Sequence, residues 1–416
     1  MKENKIKILS VLLGFTVILF FGCKEEGRLD HIDDSVPAPT AVTIETVTSK
    51  PGGAVIRYTI PNDKNLLGVK VVYERNGEIC ESKASKYVDT LVVEGFGSTQ
   101  AQTAKLYAVG INEKLSAPVS VEIKPLAPPV QTVHFDMEEG FGGVIVSLAE
   151  NDSKADLALV LMVDSTGTGQ WQPLQTFHTK SAAMKFSQRN LPPVGLHFAL
   201  YIRDRWNNLS DTISKKLTPI EEVKLPKDRF RNANLPGDYF LSAESPTSYP
   251  VEQVWSGHED GSNFYASAHN GPLPQQFTIE LGHKMSISRF RKWPRGGYEL
   301  YSGSAPRTFE LWGSDNPNPD GSYDESWHLL GRFEQFKPSG YMEGREIGTV
   351  TSEDNDYWYN RTEFELVPNE DAPDPYMVCT HLRVKTLSTF ASYGTDATMG
   401  QVIIAEITFY GQLKDD

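Results

Sequence analysis

Seven side chains capable of gripping a ligand crowd into the thirteen positions from 289 to 301: Arg289, Arg291, Lys292, Trp293, Arg295, Tyr298 and Tyr301. A guanidinium is a planar fork of donors suited to carboxylate or hydroxyl oxygens, and an aromatic plane packs against the apolar face of a sugar ring. Pro294 directly after Trp293 ends any strand there, which predicts that Trp293 and Arg295 stand at the rim of a sheet. The stretches on either side supply that sheet. Phe277, Ile279 and Leu281 alternate onto one face, as do Phe309 and Leu311, leaving Trp312 on the opposite face for packing or for an interface. Ile287 and Phe290 are an odd number of residues apart, so a bulge or a strand boundary falls between them.

The rest of the composition narrows the chemistry. The 416 residues carry a formal charge of -14, which argues against nucleic acid or an anionic membrane surface as the main partner and fits an uncharged ligand. Hydrophobic content of 39% with 11% aromatics is that of globular domains, and the length predicts several of them. There is no His-Glu-x-x-His, no Gly-x-Ser-x-Gly and no glycine-rich phosphate loop, and carboxylates are too abundant for any one pair to stand out. The expectation is a protein that is not an enzyme.

The N-terminus reads as an address. Lys2, Lys5 and Lys7 precede an apolar run, Ile8–Phe21, that is too short to span a bilayer and stops at Gly22-Cys23. That stop resembles a bacterial lipobox, which implies lipidation of Cys23 after removal of residues 1–22. Lys24-Glu25-Glu26 resembles the sorting signal of Bacteroidetes-type lipoproteins, implying an outer-membrane, cell-surface location through a lipid anchor only. Residues 23–36 then form a tether. Cys80 and Cys379 lie far apart in the chain and are expected to be buried free thiols.

From Pro37 the chain alternates in short runs, Val42–Thr46, Ala54–Ile60, Gly68–Tyr73, Thr90–Val93, Ala104–Asn112 and Val119–Ile123, broken by Pro51-Gly52-Gly53 and Asn76-Gly77 turns. The pattern restarts after Leu126-Ala-Pro-Pro129. Gly142-Gly143 repeats Gly52-Gly53, and Ala199–Ser210 repeats Ala108–Ser116. A period of about ninety residues made of short strands predicts two tandem β-sandwiches, residues 37–126 and 127–222. They resemble fibronectin type III or immunoglobulin-like modules, whose expected role is spacing. Trp171 and Trp206 are expected to border the domain that follows.

Five of the seven tryptophans lie beyond Val223. The Gly257–Tyr265 loop, Leu281-Gly282, Arg295, Phe309–Ser314, Trp327, Leu330-Gly331, Leu382–Lys385 and Ala405-Glu406-Ile407 follow in the order of a discoidin domain. Residues 223–416 thus resemble the jelly-roll of coagulation-factor C-terminal domains, with galactose-binding-like carbohydrate-binding modules as relatives. The fold expected for the whole chain is all-β, two sandwiches followed by this discoidin-like domain. The resemblance implies glycan recognition through loops at one end, with Trp293, Arg295, Tyr298, His258 and Trp358 as candidates. A structural stack is the other reading of Trp293 and Arg295, and a lid over the sandwich mouth is the other reading of Trp358. The resemblance also implies a calcium site from Asp260, Ser262 and Glu406. The early loop departs from that pattern, with Ser256 and His258 where acids are usual, so a hydrogen-bonded loop without metal stays open. Polysaccharide or host glycan is the partner implied, captured or presented at the surface; the alternative is a protein–protein adhesion module or an accessory subunit of an outer-membrane complex, with an outer-membrane protein as partner.

Overall fold

The structure is a computed structural model that describes residues 33, 35–242, 247–297, 300–343 and 346–414. Three hydrophobic cores succeed one another along the chain, spanning Val42–Ile123, Val130–Ile202 and Leu225–Phe409. The first unit pairs Thr43–Lys50, Gly53–Thr59 and Thr90–Glu94 in one sheet. It pairs Glu78–Ser85, Leu66–Arg75, Gln102–Gly110 and Val119–Ile123 in the other. Alternation drives the strands. In Gly53–Thr59 the side chains of Ile56 and Tyr58 point in and are fully buried, while Arg57 and Thr59 point out. Glu78–Ser85 is an edge strand that hydrophobic alternation does not mark, because little is buried on either of its faces.

The second unit repeats the plan with sheets of three and four strands. Pro51 bridges Leu126 and Phe141 bridges Ile220, both parallel, so each unit closes in the same way before the next begins. Gly52 and Gly142 hold φ of +63° and +62° at these closures, a conformation that glycine adopts without strain. The hydroxyls of Ser116 and Ser210 accept from Ala108 N–H at 3.0 Å and Ile202 N–H at 2.8 Å, again at matching places.

In the third unit one strand serves both layers of the sandwich. Gln275–Trp293 pairs with Val378–Thr389 along its first half and with Glu406–Leu413 along its second. It turns at Gly282, whose φ is +67° and where a Cβ would come within 2.5 Å of Arg229 Cβ. Phe277, Ile279 and Leu281 face the core from the first half, Met285, Ile287 and Phe290 from the second. The register shifts between Ile287 and Arg289, which absorbs the odd spacing and keeps Phe290 inward. Pro306–Ser314 and His328–Glu334 extend the first layer, with Phe309 and Leu311 buried in the core. Trp312 lies on the outer face, its ring 4.9 Å from that of Tyr323. No helix among the described residues is long and apolar enough to cross a membrane.

Junctions between units are built from specific contacts. Trp206 does not border the third unit; it packs on the first, against Gly95, while Arg205 pairs with Glu94 at 2.6 Å. Trp171 is exposed. The correction follows from the repeat, since the loop that carries Trp206 lies at the end of its sandwich facing back along the chain. Both remaining cysteines are free, Cys379 buried and Cys80 only half-buried on an outer strand.

The second and third units meet at Glu222, which is nearly buried. Its carboxylate accepts from Arg189 at 2.6 Å, from Arg289 at 3.0 Å and from the Ser288 hydroxyl at 2.5 Å. Arg289 and Arg189 reach on to Glu363 and Glu365 at 2.8 and 3.0 Å. Removing Glu222 leaves two guanidinium groups facing each other in a partly desolvated junction. Glu222→Ala is expected to cost about 3 kcal/mol and to split the calorimetric transition of these two units, whereas Glu122→Ala on an exposed strand leaves the melt unchanged.

Candidate functional site

The long strand ends at Trp293, and the segments around that end form the candidate surface. Arg289, Arg291 and Trp293 point outward, while Phe290 and Lys292 point into the sandwich. Arg291 lies over the Trp293 ring with 4.1 Å between guanidinium and centroid, and its other nitrogen donates to Asn360 O. The Trp293 indole N–H is buried without a hydrogen-bond partner. Trp293 is therefore half-buried, capped by Arg291, and the structural stack is the reading its geometry matches.

Arg295 emerges beyond Pro294 and lies over the Phe264 ring at 4.3 Å. Phe264 in turn stacks on Tyr249, with centroids 4.7 Å apart and planes 15° from parallel. The two loops that carry Phe264 and Arg295 are locked together. Gly296 N–H donates to Gly261 O at 3.0 Å, and a Cβ on Gly261 would come within 2.5 Å of Pro294 O. His258 is exposed on the same loop, its ring nitrogen 3.1 Å from the Ser256 hydroxyl. Tyr298 lies outside the described residues. The arrangement brings Arg295 and Trp293 to one strand end with His258 on the adjoining loop.

Trp358 is a correction. It is 1% exposed and packs 4.5 Å from Tyr301 and 5.8 Å from Phe390. The reason is the backbone it sits on. A short helix, Ser352–Asp356, runs into a π-helical turn, Tyr357–Arg361, that sends Trp358 inward and leaves Asn360 and Arg361 exposed. Asp354 fixes this turn from below. It is fully buried, 3.4 Å from the buried Lys337 ammonium, and accepts from Thr351 N–H at 2.7 Å and Ser339 N–H at 2.9 Å. Burial opposes its charge, yet these donors hold the Asp354 carboxyl well below the usual carboxylate range. Trp358 is thus the plug of a pinned lid over the end of the sandwich. The polar neighbours of the plug, rather than Trp358 itself, reach the surface beside Arg291.

Lys292 lies beneath the plug. Its ammonium is 5.4 Å from the Trp358 ring and 5.9 Å from Phe309, faces that offer a cation only partial compensation for lost water. Burial pushes its amine down to about 7.

The calcium expectation does not fit the residues present. Glu406 is fully buried, but its carboxylate accepts from the Lys227 ammonium on one oxygen and from Gly257 N–H at 2.8 Å on the other. Lys227 also donates to Thr408 at 3.0 Å, and Thr408 to Glu259 at 2.6 Å. Asp260 is turned to its own loop, accepting from Ser262 N–H at 2.9 Å and from the Ser262 hydroxyl at 2.6 Å. A lysine already supplies the positive charge beside Glu406, and among the described residues no group of three His, Cys, Asp or Glu side chains could hold a metal ion.

Sequence reasoning missed Tyr249, Phe264 and Lys227. Of the adjacent pair Phe264-Tyr265, Tyr265 opens a strand and is buried, while Phe264 precedes it on the loop and is only partly covered. Nothing local marks Lys227 as the partner of a residue 179 positions later.

Comparison with known proteins matches three successive stretches of the chain. Residues 39–125 match a domain of unknown function (DUF4959), residues 126–228 another (DUF5126) and residues 255–411 a third (DUF5000). Three such domains succeed one another along the chain. Among solved structures it is similar to a SusE-like protein at 25% identity and TM-score 0.42, with 69% of this chain and 100% of that one covered. It is similar to CBM32-3 from a family 31 glycoside hydrolase of Clostridium perfringens at 16% identity and TM-score 0.28, over 44% of this chain and 95% of that one. A segment of two fibronectin type-III domains from chicken tenascin is similar at 16% identity and TM-score 0.21, over 44% and 99%. No curated protein matches the chain.

Two outcomes check the site. Millimolar calcium and EDTA are both expected to leave the melting temperature unchanged, and a calcium-dependent rise would overturn the Lys227–Glu406 assignment. For Lys292, the folded amine titrates near 7 and the unfolded one near 10.5, so the unfolded chain binds more protons between these values. Stability should therefore climb with pH from about 7 until tyrosine ionisation begins near 10. Lys292→Met removes a penalty of about 4 kcal/mol at pH 7. Denaturation at several pH values should show the variant more stable at pH 7 and the gap narrowing as pH rises.

Proposed function

We propose that this chain is a non-catalytic, lipid-anchored surface protein that captures or presents glycan through its third unit. The observation that carries the reading is the stack of Tyr249, Phe264 and Arg295 at the end of the long strand, with exposed His258 on the adjoining loop. Stacked rings give a sugar an apolar platform, the guanidinium edge and the imidazole donate to hydroxyls, and neither group must be desolvated deeply to do so. Asn360 and Arg361 beside Arg291 supply further amide and guanidinium donors. The location supports the role. Arg289 touches the second unit at Glu222, and Trp293 lies four residues further along the strand, about 13 Å from that junction. The two sandwiches then serve as a spacer from the anchor at Cys23, which lies outside the described residues.

Trp312 carries a second reading, a protein-binding face. With Tyr323, which is 40% exposed, and Lys385 4.8 Å from the Tyr323 ring, it makes an aromatic and basic platform on the outer sheet.

Affinity electrophoresis of the full chain against a panel of plant and host polysaccharides tests the first reading. Retention on at least one is expected, weakened tenfold or more by Arg295→Ala and by Phe264→Ala and unaffected by Trp312→Ala. Folded protein that is retained on none overturns it. Capture of a stable protein partner that Trp312→Ala alone abolishes favours the second.

A further inference from the structure

In the second sandwich the loop end that faces back along the chain is covered. Trp206 closes on Gly95, where a Cβ would come within 2.7 Å of the indole, and Asn208 donates to Gly95 O at 3.0 Å. The matching end of the first sandwich has no unit before it among the described residues. There the loops carry five large apolar side chains in the open: Leu67 at 53% exposure, Tyr87 at 82%, Val88 at 42%, Ile111 at 54% and Leu115 at 41%. They share one end because their loops are tied together. Lys86 N–H donates to Leu67 O at 3.2 Å and Ile111 N–H to Asn65 O at 2.8 Å. Isolated exposed apolar residues need no explanation, but five gathered on adjoining loops at one end of a domain do.

The chain arrives at this same end. Asn112 donates to Val36 O at 2.8 Å and Asn65 to Pro37 O at 3.2 Å, so the residues just before the sandwich are held against these loops. From Asp33 back to Cys23 is ten residues, which reach at most about 35 Å. A lipid on Cys23 therefore keeps this end of the sandwich within a short distance of the bilayer surface. Tyrosine beside aliphatic residues suits the boundary between headgroups and acyl chains, while the charges at the same end are mixed, Lys64 and Lys86 lying beside Asp63, Asp89 and Glu113.

We propose that this loop end of the first sandwich is a membrane-contact surface that seats the chain on the leaflet holding its anchor. The inference rests on the reading of Cys23 as lipidated. Seating would fix the direction in which the two sandwiches and the rim beyond them project, which a tether alone leaves free.

The test uses the lipidated full chain in phosphatidylcholine–phosphatidylglycerol vesicles, with a polarity-sensitive fluorophore on Tyr87→Cys in a Cys80→Ser background. Cys379 is buried and stays unlabelled. Shallow spin-labelled lipid is expected to quench the label at 87 several-fold more than one on Ile79→Cys, an exposed site at the opposite end of the sandwich. Leu67→Ser with Ile111→Ser should reduce that quenching several-fold without changing the melt. Failure of the chain to float with vesicles removes the anchor and the proposal together. Flotation with equal quenching at 87 and 79 overturns the proposal alone, as does crosslinking in cells of a photoreactive group placed at 87 to a protein rather than to lipid.

Discussion

The third unit depends on one strand being long enough, and bent in the right place, to belong to both layers of a sandwich. Gln275–Trp293 gives its first half to one layer and its second half to the other. Gly282 permits the turn, and the shift between Ile287 and Arg289 resets which side chains face inward. Without that shift Arg289 would point into the core. With it, Arg289 reaches the junction, Arg291 and Trp293 reach the surface, and only Lys292 is left inside.

Charge burial shows how the unit manages its polar groups. Lys337 with Asp354, Lys227 with Glu406, and Arg383 with Asp238 are each buried or nearly so and joined to hydrogen-bonding neighbours. Such pairs add little net stability over apolar packing, but breaking one leaves a lone charge in a dry place. Each also ties a distant segment down: the lid, the early loop, and the Leu235–Tyr239 stretch over the outer sheet. Their value is in fixing loops, among them those around the end of the long strand.

The same logic runs through the junctions. The two sandwiches close with equivalent glycines and equivalent parallel bridges, and each closure meets the next unit through a few specific contacts. Glu222 between two arginines, Trp206 on Gly95 and Asn208 on the same carbonyl limit how freely the units can swing. The strand end at Trp293 on the third unit is thereby held at a set distance from the first.

Alternation alone revealed which faces of Phe277–Leu281 and Phe309–Leu311 are buried, because strand geometry turns successive side chains to opposite sides whatever the surroundings. The duplicated glycine turns made the two sandwiches legible for the same local reason. Pro294 marked the strand end at Trp293, since a residue without an N–H cannot continue the ladder. What tertiary structure decided was the fate of side chains beyond those local rules. Trp358 went inward because a buried Lys337–Asp354 pair pins the turn that carries it, and its sequence neighbours cannot say so. Glu406 was matched with the Lys227 ammonium rather than a metal ion by a contact across 179 residues. Arg295 kept its place at the surface, but its partners, Phe264 and Tyr249, came from another loop. Spacing sets which way a residue points; only packing sets what it meets there.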